Sequence, residues 1–180
     1  SFTYSINASA SRPAPVINNV AAVSNSLFAS GDVYRFYVEK SGVYRISKSF
    51  LQSLGMNTSV DPRKIKIYGN GGRMAPLANA EYYPSDPEEN AIQFIGESDG
   101  TFDSSDYILF YAEGMDNWNA DYQSHNNIYA DRSYYYVTSK GGDGKRIQAL
   151  DPLEGSAATT VTSVFDDYQF HEKDLTNIVR

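Results

Sequence analysis

Gly96-Glu97-Ser98-Asp99-Gly100 spells the G-x-S-x-G signature of a nucleophile elbow, and Asp116 and His125 follow it in the Ser, Asp, His order of hydrolases. That chemistry needs a helix directly behind the serine, whose N-terminus helps set the hydroxyl beside its oxyanion donors. Here a polar stretch, Gly100 to Asp106, leads into the strand-like run Tyr107 to Ala112, and Glu97 and Asp99 would oppose a developing oxyanion. The hydrolase reading is set aside on that ground. The same residues overlay a calcium loop if Ile95 takes the first position, because Glu97, Asp99, Asp103 and Asp106 then fall at the third, fifth, ninth and twelfth, with Gly100 at the turn. The first ligand is missing, Asp stands where a bidentate Glu closes the shell, and strand-like flanks replace the helices. Aspartates capping a long hairpin connection are the favoured reading of the 97–106 loop, with a structural calcium there as the alternative.

Gly69 to Arg73 is glycine-rich, but no Gly-Lys-Ser or Gly-Lys-Thr follows, so it is read as a turn rather than a phosphate cradle. His125 and His171 are the only imidazoles, and neither has a second His or a Cys at ligand spacing, so each is read as an ordinary hydrogen-bonding residue rather than a zinc ligand. Trp118 stands among Asn117, Asn119, Asp121, Tyr122 and Tyr129, the mixture of aromatic faces with amides and carboxylates that suits sugar hydroxyls. Against it, 15 tyrosines run through the whole chain, and tyrosine on half-buried strands is ordinary packing. No residue is assigned a catalytic, cofactor-binding or metal-binding role, and the isolated chain is expected to be catalytically inert.

The elements that would carry these residues are short strands. Val33 to Val38 and Val43 to Ile46 are β-branched and aromatic runs around Lys40-Ser41-Gly42, the pattern of a hairpin. Ser47 or Ser49 caps a short helix with Phe50, Leu51 and Leu54 on one face and Gly55 after it. Lys64 to Tyr68 alternates Ile and Lys, a strand with one wet side, and Pro76, Pro84 and Pro87 make the stretch up to Asn90 an irregular loop. Ala91 to Ile95, Tyr107 to Ala112, Tyr134 to Thr138, Arg146 to Ala149 and Val161 to Phe165 complete the set, with Phe2 to Ile6 at the start. The expectation is a mainly β fold, a sandwich or open barrel of short antiparallel strands with one short helix: residues 1–30 a connector with an initial strand, residues 31–180 the β-rich domain.

The 180 residues carry a net charge of −7, and no apolar run reaches the ~20 residues of a membrane helix. The sign is segregated: Asp32 to Arg73 holds eight basic and three acidic residues, whereas twelve carboxylates and no Lys or Arg lie between Arg73 and Arg132. Such a segment repels phosphate backbones and anionic lipid, so nucleic acid and direct membrane insertion are poor matches. The absence of cysteine removes disulfide scaffolds, Cys-type zinc sites and cysteine nucleophiles together.

Several strings read together are familiar: Ala29 to Tyr34, Ser41 to Ile46, Asp61-Pro62-Arg63 with Ile67 to Gly72, Gly96 to Tyr111, and Phe170 to Asp174. They resemble the region ahead of the protease domain in the cell-surface sortases of the Bacteroidetes type IX secretion system, relatives of the gingipain cysteine peptidases. The resemblance covers about Ala29 to Arg180. It implies a parent that removes C-terminal signals from secreted cargo and joins the cargo to an anionic surface lipopolysaccharide, using a Cys and a His of a caspase-like domain. No catalytic residue carries over, since this chain has no Cys. What the resemblance implies here is a β-rich, non-catalytic N-terminal module that is prodomain-like or serves docking. Its implied partners are its own catalytic domain, the outer-membrane barrel protein PorV and other type IX components, at the cell surface and associated with the outer membrane. Ser1 inside a strand-like run and Arg180 after Asn177-Ile178-Val179 lead to the expectation of a piece of a longer polypeptide. The reading from another class is an extracellular carbohydrate-binding or calcium-binding β-module.

Overall fold

A computed structural model describes residues 25–149 apart from Ser30, Asn79 and Asn126. The strands expected at Phe2 to Ile6 and Val161 to Phe165, His171, the string Phe170 to Asp174 and most of the 1–30 connector lie outside the described residues. Seven strands follow in chain order: β1 (Tyr34–Val38), β2 (Gly42–Ser47), β3 (Lys66–Tyr68), β4 (Glu89–Asn90), β5 (Gln93–Ile95), β6 (Tyr107–Ala112) and β7 (Ser133–Thr138). A six-residue helix, α1 (Lys48–Ser53), follows β2, and Pro62–Lys64 and Glu97–Asp99 form single 3-10 turns. All strand pairs are antiparallel, in a four-stranded sheet ordered β1-β7-β3-β4 and a three-stranded sheet ordered β2-β6-β5. The inner faces share one core: Phe36 and Val38, Tyr135 and Val137, and Ile67 from the first sheet, with Ile46, Ile108, Phe110 and Phe94 from the second. Among the described residues no strand pairing joins the two sheets, so of the two architectures expected the sandwich is the one formed.

Alternation in each strand produces this arrangement. In β1 Phe36 and Val38 are buried and in β7 Ser133, Tyr135 and Val137, and burying one large apolar side chain contributes about 1.5–3 kcal/mol. α1 forms where expected: the Ser47 hydroxyl accepts from the Phe50 N–H at 3.2 Å, and Leu51 is fully buried. Phe50 stays partly exposed, its ring edge-on to Phe36 at 5.9 Å.

Four expectations are corrected. β1 and β2 do not form a hairpin, because they belong to different sheets and the link between them crosses from one to the other. That link is held by the turn after β6: Gly114 N–H donates to Ser41 Oγ at 2.9 Å and Met115 N–H to the Glu39 carbonyl at 3.2 Å. An apolar inward face is common to a hairpin and to such an arch, so alternation does not separate them. The wet side of β3 is covered at Lys66, which is 6% exposed, its ammonium donating to the Lys140 carbonyl. Arg146 to Ala149 is not a strand; it makes one parallel bridge, Arg146 to Ile92, because its backbone bonds engage Ile92 alone, the Ile92 N–H donating to the Lys145 carbonyl and the Ile147 N–H to the Ile92 carbonyl, while the Arg146 side chain bonds the Pro62 and Arg63 carbonyls. β4, inside the stretch read as irregular, is set by Asn70, whose side-chain oxygen accepts from the Glu88 N–H at 2.8 Å.

Candidate functional site

The Gly69-to-Arg73 turn leaves β3 at the end of the sandwich where the chain after β6 also emerges, and the two segments are built against each other. A Cβ on Gly72 would meet the Gly114 carbonyl, so only glycine lets the backbones approach this closely. Across the contact Arg73 makes a bidentate pair with Glu113, both bonds 2.7 Å. Glu113 is fixed in turn by Tyr135: its N–H donates to the Tyr135 hydroxyl at 2.8 Å, and that hydroxyl donates to the Glu113 carbonyl at 3.1 Å. Burial pushes the Tyr135 phenol above its ordinary pKa, which keeps the donating proton in place.

Beyond Glu113 the chain folds back on itself. Asn117 N–H donates to the His125 carbonyl at 3.0 Å, and Asn119 and Ser124 exchange backbone bonds at 2.9 and 3.3 Å. Asn127 Nδ2 ties this loop to the Gly72 carbonyl at 2.8 Å, and Asn117 Nδ2 ties it to the Gly114 carbonyl at 2.9 Å. Between the turn and the loop lies an open pocket of about 180 Å³, with Met74 and Met115 buried beneath it and Arg73, Trp118, Asn119 and Asp121 around it. The Trp118 ring packs against His125, centroids 5.0 Å apart at 52°, yet the residue remains 59% exposed. Of the residues that the sequence grouped around Trp118, Asn117, Asn119 and Asp121 join it here, whereas Tyr122 and Tyr129 pair edge-on with each other at 6.3 Å. Sequence reasoning missed Arg73, Met74, Met115 and Asn127; the Gly71-Gly72 pair beside Arg73 was the available sign of a close backbone approach.

The hydrolase-like trio is not assembled. Ser98 sits in the β5–β6 connection, while Asp116 and His125 follow the far end of β6, and that six-residue strand separates the two ends by about 20 Å. In the same connection the four carboxylates take separate duties. Glu97 pairs with Arg146 at 2.8 Å, Asp99 accepts from the Thr101 N–H at 2.9 Å, and Asp106 accepts from the Asp103 N–H at 2.7 Å, while Asp103 is exposed. β5 and β6 are neighbours in register, so this is a long hairpin connection with Asp-capped turns. Among the described residues no group of three or more His, Cys, Asp or Glu is arranged to hold a metal ion. Thermal melts in millimolar calcium and in chelator are expected to give the same midpoint; a calcium-dependent rise that disappears in Asp99→Ala would establish a cation site instead.

The fold and this end of it define a two-sheet antiparallel β-sandwich with a loop-built surface pocket. No protein-family model matches the sequence, and no curated protein does. Among solved structures, dimeric latent PorU from Porphyromonas gingivalis is similar over 70% of this chain and 11% of that one, at 24% identity and a TM-score of 0.48. The chain therefore spans about a ninth of that protein's length.

Proposed function

We propose that this chain is the non-catalytic N-terminal module of a cell-surface sortase of the type IX secretion system and that it works by covering or docking another part of that machinery. The sequence strings that resemble this family support the reading, since they supply the framework itself: β2, the β3 strand with its glycine turn, and the β5–β6 connection. The observation that carries a binding role is the outer face of the second sheet. Across it Val43 pairs with Tyr111; Leu109 pairs with Arg45 on one side and Gln93 on the other, and Tyr107 with Ser47 and Ile95 in the same way. Val43 is 70% exposed, Tyr111 57% and Ile95 37%, on a face that antiparallel sandwiches ordinarily keep polar. The occupant that the family resemblance supplies is the module's own peptidase domain.

Purified chain is expected to bind that Cys/His peptidase domain in solution, and Val43→Glu and Tyr111→Glu are each expected to weaken binding about tenfold or more, since both place a charge on a desolvated patch. Both positions are exposed, so the variants should melt like the parent chain. Binding to PorV in place of the peptidase domain, abolished by the same substitutions, would assign the face to docking. Binding to neither would overturn the proposal.

A further inference from the structure

We propose that the Trp118 pocket binds one ring of a neutral saccharide. Three features converge. His125 packs against the indole and holds its orientation, while 59% exposure leaves a large part of the ring free for the C–H face of a sugar. The rim supplies hydrogen-bonding groups of both kinds: the exposed Asp121 carboxylate accepts, and the Arg73 guanidinium carries five N–H donors, of which Glu113 takes two. These groups are held before any ligand arrives, because Glu113 fixes Arg73, Asn127 and Asn117 fix the loop backbone, and Asn119 Oδ1 accepts from the N–H groups of Asp121 and Tyr122 at 3.0 Å each.

Size and charge select the class of ligand. About 180 Å³ is smaller than the ~300–1,000 Å³ of common small-molecule sites, and the pocket is open, so it suits a single ring of a chain that continues into solvent. Glu113 neutralises Arg73 and Asp121 adds a negative charge, so acidic sugars are disfavoured. The site lies at the opposite end of β6 from the β5–β6 connection and uses none of the outer-face residues of the second sheet, so it stands or falls separately from the docking proposal.

Trp118 is the only tryptophan in the chain, which makes its emission a reporter of this pocket alone. The test titrates gluco-, manno- and galacto-configured neutral oligosaccharides, with hyaluronan and heparin fragments as acidic comparators, while selectively exciting tryptophan. At least one neutral series is expected to shift the emission to the blue and to protect it from acrylamide quenching. In a direct binding assay such as calorimetry, Trp118→Ala should then lose about tenfold or more in affinity, and Trp118→Tyr, which keeps an aromatic face, should lose less. Urea midpoints equal to that of the parent chain would confirm that both variants fold. The proposal is overturned if no neutral series shifts the emission, if only the acidic fragments bind, or if Trp118→Ala binds as tightly as the parent chain.

Discussion

Tyr135→Ala is expected to lower stability by about 4 kcal/mol, enough to bring the melting midpoint down by roughly 10 °C or more. Tyr135 is the largest fully buried side chain among the described residues and joins the two sheets: its ring stacks on Phe36 at 5.9 Å and meets Phe110 edge-on at 5.4 Å. Truncation leaves a cavity between the sheets that the short strands on either side cannot collapse to fill. The conservative Tyr135→Phe keeps the packing but strands the Glu113 N–H and carbonyl, a cost of about 1–2 kcal/mol. Urea unfolding with an unchanged m-value would separate the two effects. A Tyr135→Phe variant as damaged as Tyr135→Ala would show that the hydroxyl bridge, not the ring, is the dominant contribution.

Arg146→Ala is expected to cost about 2–3 kcal/mol, with Glu97→Gln costing roughly half as much. The guanidinium gathers Glu97 and the carbonyls of Pro62 and Arg63, at 2.8–3.1 Å, and so ties the last described segment to the 3-10 turn before β3 and to the β5–β6 connection. Its side chain is 21% exposed and that of Glu97 25%, so water screens the pair only in part. The Arg63–Asp61 pair makes a useful contrast. Its side chains are 52% and 32% exposed, and although Arg63 holds the Asp61 carboxyl below its usual pKa, Arg63→Ala should leave the urea midpoint nearly unchanged. Equal midpoint shifts for Arg63→Ala and Arg146→Ala would contradict this account.

Strand identity was legible because the alternation of Phe36 and Val38, of Ile46, and of Tyr135 and Val137 depends on local sequence alone. Pairing was not. Nothing in Val33 to Ile46 says that the link at Lys40 to Gly42 is occupied by Gly114 and Met115, contacts made more than seventy residues away. The partners of the charges were hidden in the same way. Carboxylates that have no cation near them in sequence acquire Arg146 at Glu97, Arg73 at Glu113 and the Lys145 N–H at Glu89 once the chain is folded. For the candidate site, Trp118 and its amides were visible as a local cluster. The opposite wall was hidden, because Arg73 and Met74 join it only through the Gly72–Gly114 approach.

The arch between β1 and β2 also sets when the domain can fold. Tyr34 pairs with Val137 and Gly42 with Ala112, so each of the first two strands waits for a partner made much later. Closing such loops takes conformational entropy before any ladder bond repays it, which places folding on the millisecond-to-second scale typical of non-local β topologies. A chain emerging N-terminus first would hold β1 as a bare edge until residue 138 had appeared, and that interval is when a chaperone, or a second emerging chain, could capture it.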